Sequence, residues 1–166
     1  YYEYAGAADY PQSLGLLNKY SNLIILRTFS KAYGLASLRV GYGIAAPKTI
    51  ELLNRVRNPF NVNSLAQVAA IASLNDQDFV QQAVSLNNEC KTYMYQELKK
   101  LEIPFLPTEA NFIMFDAKRP SEVLFDELLK HGFIIRPAFG VPNWVRVTLG
   151  TMEQMQAFIS LLKEIY

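Results

Sequence analysis

The feature that most constrains this chain is a lysine set between two apolar segments. Leu23-Ile-Ile-Leu26 is a short apolar run of the kind that forms a fully buried strand, and the strand is expected to span Asn22 to Thr28. A second strand is expected over Arg39–Ala46, and between the two lie Ser30, Lys31 and Gly34, the last loosening the backbone. A lysine at the mouth of a buried strand sits where sites are built. Desolvation disfavours an ammonium, and a free amine can attack a carbonyl to form a Schiff base. The Ser30 hydroxyl and the Arg39 guanidinium could both bind one phosphate, the arginine through a bidentate fork.

Spacing alone does not carry that reading, since a Ser-Lys pair with a later Arg occurs often by chance, and an ordinary surface lysine and a strand-end arginine stay open. The motif Ser30-Lys31-Ala-Tyr-Gly-Leu-Ala-Ser-Leu-Arg39-Val-Gly resembles the cofactor-lysine signature of the fold-type I pyridoxal-phosphate aminotransferases, in which Ser-Lys is followed by Gly-Leu and then Arg-x-Gly. Within that family the wider pattern is most similar to the histidinol-phosphate aminotransferases. The matching stretches are Tyr1-x-Glu-Tyr4, Leu26-Arg-Thr-Phe-Ser-Lys31, Asn111-Phe-Ile113 after Glu109-Ala110, and Arg146-Val-Thr-Leu-Gly150, so the resemblance runs through the whole chain. It implies an α/β fold, with part of a large, mostly parallel sheet domain followed by a C-terminal α+β small domain. It also implies pyridoxal 5'-phosphate as cofactor, a homodimer, and transfer of the amino group of glutamate to imidazole acetol phosphate, giving 2-oxoglutarate and L-histidinol phosphate in histidine biosynthesis. Another aminotransferase or decarboxylase of the same fold, acting on aromatic amino acids or phosphothreonine, stays open as an alternative, as does a non-catalytic fragment.

The resemblance assigns roles residue by residue. Lys31 is the Schiff-base lysine and proton carrier, and Arg39, with Ser30 beside it, binds the cofactor phosphate. Tyr1 matches the tyrosine that bonds the cofactor's ring hydroxyl, but stands without the Asp that precedes it in the family motif. The chain is therefore expected to be the C-terminal portion of a larger enzyme and inactive alone. Arg146 lies mid-strand in Trp144-Val-Arg-Val-Thr148, where alternation puts it on one face with Trp144 and Thr148. A charge in so apolar a strand needs a partner. On the residues alone that partner is an internal acid; the resemblance implies the anionic group of the substrate. Arg136 is a second candidate substrate-facing arginine, and Asn111 a candidate for orienting Arg146. His131, the only histidine, falls at a helix C-terminus and is expected to cap it.

Composition narrows the partners. Sixteen basic against fifteen acidic residues give a net charge of +1, so neither a nucleic acid nor a membrane surface is expected as partner. Cys90 is the only cysteine, which excludes an internal disulfide and a cysteine-based zinc site; no metal is expected. No apolar run approaches the roughly 20 residues of a membrane span, and a cytoplasmic protein is expected. Gly41-x-Gly43-x-x-Ala46 satisfies a loose dinucleotide fingerprint, but its glycines fall inside a strand rather than in a strand-to-helix turn.

Helices are expected from Pro47 to Arg57, from an N-cap at Ser64 through an alanine-rich buried segment to Ser73, and from Gln77 to Lys100 behind Asn75 or Asp76, with Gln81, Gln82, Asn87, Asn88 and Glu89 on a solvated face. After these come strands at Asn111–Phe115, Phe133–Arg136 and Trp144–Thr148, the last two forming a hairpin, and helices at Ser121–His131 and Met152–Tyr166 that cover the sheet. The domains are placed at 1–75, the end of the large domain, and 76–166, an interdomain helix with the small domain.

Overall fold

In the computed structural model, which describes residues 1–166, the run at Leu23–Leu26 passes into strand β1 (Ile24–Thr28). It pairs antiparallel with β2 (Gly41–Ala45), Ile24 opposite Ala45 and Thr28 opposite Gly41. These two strands contain no parallel pairing. The expectation of a fully buried strand is corrected: Ile25 is buried, but Leu26 is 75% exposed. Side chains alternate across a strand, and only one face of β1 is covered by this chain.

Around this pair lie a short helix α1 (Ser13–Leu16), α2 (Pro47–Val56) and α3 (Ser64–Asn75). Pro47 starts α2, where a missing N–H costs nothing. The cap of α3 is Asn63 rather than Ser64, its Oδ1 accepting from Ala66 N at 2.8 Å. The alanine-rich helix is also less buried than expected. Ala66 and Ala70 pack with Phe29 and Val40 into a small core, while Leu65, Val68 and Ile71 are exposed.

Helix α4 (Gln77–Lys100) begins after Asp76, whose Oδ1 accepts from Phe79 N at 3.2 Å. The chain divides into two compact units within this helix, Tyr1–Gln82 and Ala83–Tyr166. The second unit contains β3 (Phe105–Leu106), β4 (Phe112–Asp116), α5 (Ser121–Lys130), β5 (Arg136–Pro137), β6 (Trp144–Thr148) and α6 (Met152–Ile165). Its antiparallel sheet has the order β3-β4-β6-β5. Ile113, Phe115, Val145 and Val147 turn one face of that sheet into a core with Leu124 and Leu128 of α5, and Phe158 and Leu162 of α6. Cys90, Met94 and Leu98 of α4 join them, a third helical layer beside the two expected. Thr151 and Gln154 close a capping box at the start of α6. Glu97 of α4, nearly buried, holds both Lys100 (2.6 Å) and Lys163 of α6 (2.7 Å). No helix is long and apolar enough to cross a membrane.

Candidate active site

The backbone that carries Lys31 is fixed on both sides. Phe29 N donates to Val40 O (3.2 Å), Leu35 N to Phe29 O (2.9 Å) and Gly34 N to Lys31 O (2.8 Å), with Gly34 at φ +70°, a left-handed conformation that glycine adopts without penalty. Phe29 and Ala32 are buried, whereas Ser30 and Lys31 between them are half-buried. Apolar neighbours thus clamp the chain while leaving the amine accessible. Lys31 Nζ lies 5.3 Å from the centre of the Tyr1 ring, within cation–π range.

Arg39 caps the 3-10 turn Ala36–Leu38 in a left-handed conformation of its own, φ 56° and ψ 50°. For a residue with a Cβ this costs about 1–2 kcal/mol. One guanidinium nitrogen donates to Ala36 O at 2.7 Å, and the side chain is otherwise exposed. A cavity of about 630 Å³ opens against this turn, with Tyr1, Thr28, Ser30, Arg39 and Gly41 in its wall; Lys31 stands beside it, above Tyr1. Gly41 is required there, because a Cβ would fall 2.7 Å from Arg27 O. Gly43 is not: a Cβ would meet Leu26 at an ordinary 3.6 Å. Four of the expected site residues, Tyr1, Ser30, Lys31 and Arg39, therefore come together in the first unit.

The other three lie in the second unit. Arg136 and Arg146 are direct partners across β5 and β6 and share a cavity of about 380 Å³ with Met114 and Phe139. Arg146 is on the sheet face opposite the core and takes part in none of the chain's ion pairs, so the internal acid is not found. Its guanidinium carbon instead lies 4.9 Å from the centre of the Phe112 ring. Asn111 extends the sheet, its carbonyl accepting from Leu149 N at 2.9 Å. His131 is the C-cap of α5.

Sequence reasoning missed a polar stripe on α4. Asn87, expected in solvent, is 5% exposed, and its Nδ2 donates to Ala110 O at 3.3 Å. Lys91 Nζ donates to Thr108 O at 3.4 Å, and Tyr95 Oη accepts from Thr108 N at 2.7 Å. Burial pushes the Tyr95 phenol above its ordinary pKa, and the bond from Thr108 pulls the other way. Residues four apart share a helix face, so the spacing of 87, 91 and 95 was the available signal.

The model of the family "Aminotransferase class I and II" matches residues 1–162. A histidinol-phosphate aminotransferase of Bacillus licheniformis is 48% identical over 98% of this chain, which covers 45% of that relative. Among solved structures, the histidinol-phosphate aminotransferase of Clostridium acetobutylicum superposes with a TM-score of 0.88 at 27% identity, over 99% of this chain and 52% of that one. That of Sinorhizobium meliloti, in complex with pyridoxal-5'-phosphate, gives 0.87 at 28%, over 98% of this chain and 46% of that one. The chain thus spans about half the length of the relatives it matches. A lysine fixed between two paired strands, an arginine and a serine on one cavity, and a match along nearly all of its residues place this chain in the aminotransferase class I and II family.

Proposed function

We propose that the intact protein is a pyridoxal-phosphate-dependent aminotransferase that moves the amino group of glutamate to imidazole acetol phosphate, acting as a cytoplasmic homodimer. The observation that carries this is Lys31 Nζ above the Tyr1 ring, at the rim of a cavity whose wall holds Ser30 and Arg39. The names of the relatives support the substrate.

The donor set fits the cofactor. Arg39 has guanidinium N–H groups beyond the one given to Ala36, and with the Ser30 hydroxyl it would hold the phosphate; Tyr1 would bond the ring hydroxyl. When bound, pyridoxal phosphate supplies the electron sink. Lys31 would accept at Nζ the proton lost by the amino donor's α-carbon and hand it on to the carbon that keeps the amino group, a different atom from the one that lost it, with the clamped backbone from Phe29 to Leu35 keeping that nitrogen in place. Arg146 would bind the α-carboxylate through its planar fork, Asn111 just ahead of β4 would help to orient it, and Arg136 would take the other anionic end. All of this belongs to the whole protein, and the 166-residue chain alone is expected not to transaminate. Turnover of the intact protein with glutamate against imidazole acetol phosphate, phenylpyruvate and phosphothreonine tests the reading. Preference for either of the last two would redirect the substrate assignment, and Lys31→Ala within tenfold of the parent would end the mechanistic one.

A further inference from the structure

We propose that Asn87 is a positioning residue for Arg146, acting through the Thr108–Phe112 segment. This rests on the reading of Arg146 as the anchor of the donor's carboxylate. The segment is held from two sides. On one, Asn87, Lys91 and Tyr95 bind the peptide groups of Thr108 and Ala110, and Ala110 N donates to the Thr108 hydroxyl at 3.1 Å. On the other, Asn111 O and the Phe112 to Asp116 ladder are tied to β6. Ala110, the residue gripped by Asn87, immediately precedes Asn111 and then Phe112, on whose ring the Arg146 guanidinium rests. Moving the Ala110 carbonyl therefore moves the surface that supports the arginine. Tyr95 is itself fixed by stacking on Phe105, ring centres 4.7 Å apart.

A purely structural role explains Asn87 poorly. Its Oδ1 is buried and has no hydrogen-bond partner, and a buried acceptor left unpaired is destabilising. Leucine at this position would remove that burden together with the bond to Ala110. Stability and substrate anchoring should therefore respond differently to Asn87→Leu, which is what separates positioning from scaffolding.

The test uses the intact, cofactor-loaded protein. Its readouts are the KM for glutamate, the Kd for glutarate as an unreactive dicarboxylate, the Kd for pyridoxal phosphate, and the Tm. Asn87→Leu should raise the first two about five- to tenfold, the effect of losing one buried hydrogen bond. Cofactor affinity should stay within twofold of the parent and Tm nearly unchanged. Tyr95→Phe, which removes a single oxygen and so should fold in any case, should shift glutarate affinity in the same direction by less. Glu97→Gln, on the same helix but in contact with α6 rather than with the segment, should lower Tm without moving either dicarboxylate constant. Glutarate affinity within twofold of the parent in Asn87→Leu and Tyr95→Phe, while Arg146→Lys loses it, overturns the positioning role alone. Unchanged glutarate affinity in Arg146→Lys overturns the anchor reading and this inference with it.

Discussion

Replacing Arg39 with glycine should separate stability from cofactor affinity. The left-handed conformation at this position costs an arginine about 1–2 kcal/mol, which glycine escapes. Glycine returns about 0.5–1 kcal/mol of that through the greater freedom of the unfolded chain. The exposed bond to Ala36 O contributes about 0.5 kcal/mol more, so the net change in folding stability should lie within about 1 kcal/mol of zero. If Arg39 binds the phosphate, the same substitution removes a charge-assisted bond worth about 1.5–3 kcal/mol, or roughly a 10- to 100-fold rise in Kd. Urea melts of the cofactor-free protein and a fluorescence titration with pyridoxal phosphate measure the two quantities. A variant that binds the cofactor within threefold of the parent, or that loses more than about 2 kcal/mol of stability, would show that Arg39 serves the fold and not the phosphate.

Gly41→Ala should cost about 1–3 kcal/mol, because its Cβ would sit 2.7 Å from a backbone oxygen of the paired strand, whereas Gly43→Ala should be tolerated. Equal melting curves for the two variants would contradict the register of β1 on β2. Hydrogen bonds from Lys100 and then Lys163 hold the Glu97 carboxyl below its ordinary pKa of 4.5. Its contribution to stability is therefore complete above that value and lost as the pH falls through the lower folded-state value. Urea midpoints measured from pH 7 down to pH 3 should fall more steeply for the parent than for Glu97→Gln, and parallel profiles would remove Glu97 from the acid transition.

The span of α4 was legible because Asp76 is a strong cap and the pattern behind it runs unbroken to Lys100. The face carrying Arg146 was equally legible, since strict alternation from Trp144 to Thr148 leaves a single choice. Burial in the first unit was not. Leu26, Val68 and Ile71 are apolar at strand or helix spacing, and such a pattern records that a residue is to be covered, not what covers it. The two-residue strand β3 was missed because a pair of residues has no period. Phe133 was placed in a strand but packs on the core before β5 begins at Arg136. Polarity alone puts Asn87 in solvent; the spacing of 87, 91 and 95 marks a shared helix face, but not the segment 23 residues on that this face binds. Of the site, the motif around Lys31 and Arg39 was read from sequence, but the left-handed turn that presents Arg39 and the Phe112 ring beneath Arg146 required coordinates.

The claim on which the rest depends is that Lys31 is the amine that takes the cofactor. Borohydride reduction of the intact protein loaded with pyridoxal phosphate, followed by proteolysis and peptide mass mapping, locates that amine directly. The expected result is a single phosphopyridoxyl mass on the peptide containing Lys31, abolished in Lys31→Ala. The mass on any other lysine, or its persistence in the variant, would contradict the account.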